Sequence, residues 1–266
     1  MPQENYLVNG VVLDDPSRGW RLLAATLPRS GLTMSTSQST RPGRDGFKQL
    51  PSTRGGVVPQ FEVLVPAADW EELLAVFTAP ALVISRDDAP GRVAVGSLKS
   101  SSSPKDYPRS GMVSAVFYVE IPDGAWRGGE EVTALFVTGP AGVTGSLFPG
   151  LSAPVQDAIV RFRGPLEDPQ IVDPSGAFIA VDGTIGDGEF LRFESDRGRA
   201  WLTDTDSWTG GEEVSGLVDF GGPRGIFEIT PQFTDPAERT GQVTLTQASY
   251  NTGSGFQVRG RAAFLT

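Results

Sequence analysis

Apolar and polar positions alternate with period two along much of this chain. The clearest run sets Val113, Ala115, Phe117, Val119 and Ile121 against Ser114, Val116, Tyr118 and Glu120. Successive side chains of a strand point to opposite faces, so this pattern predicts a strand with one apolar face. Phe61, Val63 and Val65, separated by Glu62 and Leu64, predict another. Tyr6-Leu7-Val8 and Val11-Val12-Leu13 flank Asn9-Gly10, a dipeptide that accepts the positive φ angles of a type I′ turn, so the chain is expected to open with a hairpin. Leu82 to Ser85 and Arg92 to Leu98 read as further strands. The period changes once: Trp70, Leu73, Leu74 and Phe77 fall on one helical face. A helix over about 69–79 is predicted, with Asp69 as its cap, Glu72 as the capping-box partner and Pro80 as its stop.

Two stretches lack any apolar period. "KSSSSPKDYPRSG", residues 99–111, cannot bury a face and is expected to be a long, mobile loop. "GPAGVTGSLFPG", residues 139–150, is rich in turn formers and carries no charge, which predicts a linker between a domain over 1–138 and another over 151–266. Beyond it short alternations return, with Val160 and Phe162 against Arg161 and Arg163, Leu191 and Phe193 against Arg192 and Glu194, and Val243 and Leu245 against Thr244 and Thr246. Turns such as Asp182-Gly183, Asp187-Gly188 and Gly221-Gly222-Pro223 separate them, and no helix is expected. Many short antiparallel strands at this spacing argue for a sandwich.

Composition agrees. Thirty-three glycines and 21 prolines without a Gly-X-Y period belong to tight turns between strands, so the fold class is expected to be mainly all-β. The net charge is −10 and the pI about 4.6. That balance opposes binding to phosphate backbones, which depends on cations releasing counterions. Residues 1–150 carry 13 basic and 15 acidic side chains, and residues 151–266 carry 9 and 17, so the acidity is concentrated in the second part. The first residues lack a basic region and an apolar core, so no secretory signal is expected. Leu73 to Ile84, the longest mostly apolar stretch, is too short to cross a bilayer, and no membrane partner is expected.

The chain has no cysteine and no histidine. Ser-His-Asp and Cys-His sites are excluded, along with thiolate metal sites. Carboxylate pairs of the glycosidase kind remain, and Asp182, Asp187, Glu189, Glu194 and Asp196 lie close enough in sequence to form one. The competing reading makes them solvated carboxylates at Asp-Gly turns and outward strand positions, and it is the better one. "DTDSWTGGEE", residues 204–213, begins like a calcium loop, but Trp208 stands where the third oxygen ligand belongs and Thr209 where the turn glycine is needed. Trp208 is then a half-exposed aromatic on a polar loop, fit for a protein interface or, with Trp201, for stacking on a sugar. "TRPGRDGFKQLP", residues 40–51, raises the question of a ligand cradle. One arginine beside one aspartate is a poor anion site, so Gly43 and Asp45-Gly46 read as turn geometry and Arg44 with Asp45 as a turn or interface pair.

The order of these elements resembles a known family, the distal tail or minor tail proteins of long-tailed bacteriophages. The hairpin "YLVNGVVLDD", the "GRDG" loop, the helix-then-strand unit "DWEELLAVFTAPALVISRD" and "MVSAVFYVEIPDGAWRG" match its N-terminal part. The stretch from "APVQDAIVRFRG" to "FESDRGRAW" is similar to the start of the galectin-like domain that follows. The resemblance implies a structural virion component at the tail tip, made in the host cytoplasm, with no enzymatic activity and no cofactor. It implies an N-terminal β-sandwich with one α-helix and a C-terminal galectin-like β-sandwich, the first closing into a homohexameric ring that joins the tail tube protein to hub or adhesion proteins and lets DNA pass without stable binding. Arg44, Asp45 and Trp208 are then candidate interface residues. Galectins hold sugar with a histidine beside a tryptophan, and this chain has no histidine, so the resemblance does not carry sugar binding over.

Overall fold

The computed structural model describes residues 5–25, 34–35, 38–40, 47–49, 53–139, 141–233 and 239–265. Contacts divide the chain into two compact units, Met1–Gly129 with Phe264–Thr266, and Glu130–Ala263.

The first unit is built on an antiparallel sheet ordered Val11–Val12, Tyr6–Val8, Leu82–Arg86, Ala89–Ser101, Met112–Glu120, Gln60–Pro66 and Arg21–Ala25. The opening hairpin forms as expected: Leu7 pairs with Val12, and Asn9 and Gly10 take φ of 51° and 80°. Alternation places Phe61, Val63, Val65, Val113, Ala115, Phe117 and Val119 on one buried face. The single α-helix among the described residues, Trp70–Phe77, covers that face with Leu73 and Phe77. Phe77 stacks flat on Phe117 with ring centroids 4.0 Å apart, and Tyr6 meets Phe61 edge-on at 5.2 Å.

The helix does not begin with the expected capping box. A 3₁₀ turn, Ala67–Asp69, leads into it, and the Asp69 side chain makes no cap bond. Its Oδ2 instead accepts from Nε1 of the fully buried Trp20 at 2.8 Å, and Glu72 pairs with Arg18 at 2.5 Å. A buried indole N–H without an acceptor is costlier than an exposed helix end that water can satisfy, so the tertiary contact takes the carboxylate.

Two expectations about unstructured segments are corrected. Within 99–111, Lys99–Ser101 continue the strand Ala89–Ser101, and Lys105–Tyr107 pair with Met112–Ser114. Ser102 N–H donates to Val116 O at 2.8 Å and its Oγ accepts from Val116 N–H at 3.0 Å. These strands are polar on both sides and held by backbone pairing, so hydrophobic period cannot reveal them. The segment 139–150 is not a tether between domains. Val132–Val137 already pairs with Gly255–Gly260, and Val143–Leu147 pairs with Thr240–Thr246, both inside the second unit. Its glycines serve close approach rather than flexibility: a Cβ on Gly145 would lie 2.6 Å from the Phe136 ring, and one on Gly142 2.2 Å from the Leu245 carbonyl oxygen.

The second unit is a sandwich. One sheet runs Val132–Val137, Gly255–Gly260, Ile159–Arg163, Phe190–Glu194, Arg199–Thr203, Glu212–Glu213. The other runs Val143–Leu147, Thr240–Thr246, Gln170–Val172, Phe178–Val181, Val218–Gly221. Val160, Phe162, Leu191, Phe193, Phe256 and Val258 face inward from the first, and Ile171, Ile179, Val243 and Leu245 from the second. Phe193 and Phe220, one from each sheet, meet at 5.0 Å.

Phe77→Ala is expected to lower unfolding free energy by about 3–5 kcal/mol in urea denaturation, because it empties the stack on Phe117. In a double-mutant cycle, Trp20→Phe and Asp69→Ala should be coupled by about 1 kcal/mol; additive losses would return Asp69 to a capping role.

Candidate functional site

The outward face of the sheet containing Ile159–Arg163 carries the richest chemistry among the described residues. Register places Leu135, Gln257, Arg161, Arg192, Trp201 and Glu213 in one row across six strands. The flanking rows hold Arg259, Ile159, Glu194 and Arg199 on one side, and Arg163, Phe190 and Thr203 on the other. Five of the nine arginines in residues 151–266 therefore lie on one face of the more acidic part of the chain.

Alternation turns Arg161 and Arg192 outward, yet neither is solvated; their relative exposures are 2% and 5%. The loop between Thr203 and Glu212 closes over them. Arg161 Nη2 donates to Asp206 Oδ1 at 2.5 Å, Nη1 to Ser207 O at 3.1 Å, and Nε to Gln257 Oε1 at 2.7 Å, with Nη2 also bonded to that oxygen. Its guanidinium lies 4.3 Å from the Trp208 ring centroid and 4.8 Å from that of Phe190, and Arg259 approaches Trp208 at 5.4 Å. Trp208 is thus a half-buried ring fastened over a saturated cation, with the loop latched by Asp206. The latch and the Trp208 ring together hold an otherwise polar loop closed over the sheet face.

Arg192 differs. Its side chain lies under Trp201 at 4.7 Å, and Nε is 3.3 Å from Glu194 Oε1, but buried Nε and Nη1 make no hydrogen bond. Two adjacent arginines on neighbouring strands repel, and Asp206 and Glu194 offset that repulsion. Around this pair the ion pairs are looser: Arg199 meets Glu213 at 3.7 Å and Arg197 meets Glu194 at 3.1 Å, all but Glu194 half or more exposed. Arg163 is exposed and has no ion pair among the described residues.

The other sequence candidates are placed as follows. Asp182 and Asp187 sit exposed in turns, Glu189 Oε2 accepts from Gly186 N–H at 2.6 Å, Glu194 pairs with Arg192 and Arg197, and Asp196 stands exposed 3.9 Å from Arg197. Each carboxylate serves a turn or an ion pair. Asp204 is exposed, while Asp206, the second acid of the supposed calcium loop, is the latch on Arg161. Arg44 and Asp45 lie outside the described residues. Alternation marks Arg161 and Arg192 only as polar strand positions opposite the apolar face; the signal that could mark them as a site is the coincidence of Arg161, Arg192 and Trp201 in short strands of similar length.

Comparison with known proteins separates sequence from fold. No family model matches the sequence, and no curated protein matches it. Among solved structures, the SPP1 Dit protein (gp 19.1), described as a paradigm of the hub adsorption apparatus in phages infecting Gram-positive bacteria, is similar over 98% of this chain and 99% of its own, at 14% identity and a TM-score of 0.62. The fold is shared across both units. The phage P2 baseplate in its activated conformation, with calcium or with strontium, covers the same share of each chain at 10% and 11% identity, but at a TM-score of 0.39 these likenesses add nothing to the assignment.

Asp206→Asn should cost about 1.5–3 kcal/mol of stability, because it strips a charge-assisted bond from a buried arginine, whereas Asp204→Asn should stay within about 0.5 kcal/mol. Equal, small effects in urea denaturation would mean that the loop is not latched.

Proposed function

We propose that this chain is a structural component of a bacteriophage tail tip, a hub whose copies close into a ring, a homohexamer, between the tail tube and the host-adhesion proteins. The observation that carries the reading is the likeness to the SPP1 Dit protein over 98% of this chain and 99% of that one, at a TM-score of 0.62, a correspondence of both units in order. The hub role printed for that protein is transferred here as a proposal. Of the carboxylates considered for catalysis, Glu189 is committed to a turn and Glu194 to two ion pairs, which supports a scaffold rather than an enzyme.

The first unit offers surfaces suited to such a ring. Its sheet path ends at Val11–Val12 and at Arg21–Ala25, and the latter edge strand exposes Leu23. Val83 and Val95, paired across neighbouring strands, are 43% and 51% exposed. Exposed edge strands and apolar pairs are liabilities for a lone molecule, and a closed heterologous interface covers them without making a filament. Arg44 and Asp45 are assigned to a subunit or tube contact, and the −10 charge suits a channel whose acidic wall releases the genome instead of holding it.

Light scattering of the full chain, alone and with its tail-tube protein, should report rings rather than single copies. Leu23→Glu or Val95→Glu should reduce that mass to a monomer while leaving circular dichroism unchanged; a wild-type chain that stays monomeric in both conditions contradicts the reading. Charge reversal at Arg44 or Asp45 alone should weaken assembly and the double swap should restore it, whereas a double variant no better than either single rejects their pairing.

A further inference from the structure

The arginine face of the second unit has a property that scaffolding does not require. Arg192 is buried to about the same degree as Arg161, but where Arg161 has every group satisfied, Arg192 leaves Nη1 without a hydrogen bond and Nε with only the ion pair to Glu194 at 3.3 Å. Buried polar groups are paired in nearly all native sites, and a buried guanidinium donor left over marks a place where an acceptor is missing. The cover on it is the ring of Trp201, which is itself only half-buried, and a diagonal step across the strand pair leads to exposed Arg163. Side by side, then, lie an aromatic surface, a guanidinium with a spare donor and a surface cation that has no ion pair among the described residues.

We infer that this face binds an acidic saccharide, with Arg192 and Arg163 taking its carboxylate and Trp201 stacking against the apolar face of the sugar ring. Guanidinium groups match a carboxylate with paired donors. The surrounding groups fit hydroxyls as well as charge: exposed Glu213 at the end of the row supplies an acceptor and the Gln257 side-chain amide a donor, so that a polyhydroxyl ligand finds both kinds of partner. A nucleic acid strand presents phosphates where Glu213 requires a hydroxyl donor, whereas each unit of an acidic saccharide carries both a carboxylate and hydroxyls. Arg161 and Trp208 stay with the latch and form the floor and wall beside the site rather than its contacts. The spare donor of Arg192 becomes reachable when the Trp201 ring swings off the guanidinium, which ties binding to a change at one tryptophan. This inference is independent of assembly into a ring and is tested on the full chain in any oligomeric state.

Titration of the full chain with a tri- or tetragalacturonate, followed by calorimetry and tryptophan fluorescence, is the test. Saturable binding is expected, with a fluorescence change that is lost in Trp201→Leu. Arg163→Glu, a surface substitution that leaves the fold alone, should weaken binding at least tenfold, and Arg192→Met should abolish it. The methyl-esterified oligosaccharide should bind at least tenfold more weakly than the free acid. Absence of binding to the free acid, equal binding of the ester, equal binding of a single-stranded oligonucleotide or polyglutamate of the same charge, or full affinity in Arg163→Glu would each overturn the assignment.

Discussion

A strand shows its side chains to two faces in turn, so every sheet that buries one face leaves a second face to be accounted for. In this chain the inward faces are settled by size and polarity alone. The helix Trp70–Phe77 lays Leu73 and Phe77 on Phe61 and Phe117 in the first unit, and two sheets meet through residues such as Phe193 and Phe220 in the second. What distinguishes the molecule is the treatment of outward faces. The first unit leaves Val83 and Val95 uncovered. The second turns arginines outward and then covers two of them with aromatic rings and a latched loop.

Those two treatments call for different partners. Exposed valines and an open strand edge call for another polypeptide, because main-chain donors and apolar area are satisfied together by a neighbouring chain. A row of arginine, tryptophan, glutamine and glutamate is too polar for a dry interface core and suits a hydrated, charged ligand. One chain can therefore be held by its neighbours through one unit and present chemistry through the other, a division that the separate compactness of the two units permits.

Much of the fold was legible wherever burial was one-sided. Val113 to Ile121, Phe61 to Val65 and the Asn9-Gly10 turn were readable because one face or one φ requirement dominated the choice of residues. The strand segments within 99–111 were not, since polar strands held by backbone bonds to Met112–Glu120 have no period to detect. The glycines of 139–150 misled for a related reason: a missing side chain signals freedom or close contact equally, and only the neighbouring Phe136 and Leu245 distinguish them. The site was half legible. Trp201 and Trp208 stood out as residue types, but an arginine at an outward position reads as solvated until the loop that covers it is known, and that loop is held by Asp206 from 45 residues away.

The proposed role is a position in a particle, and a cryo-electron microscopy reconstruction of the phage tail reads that position. Density for this fold is expected as a closed ring at the distal end of the tube, in register with it and around an open channel. A tail whose distal ring is built by another protein, with this chain absent from the particle, would contradict that role.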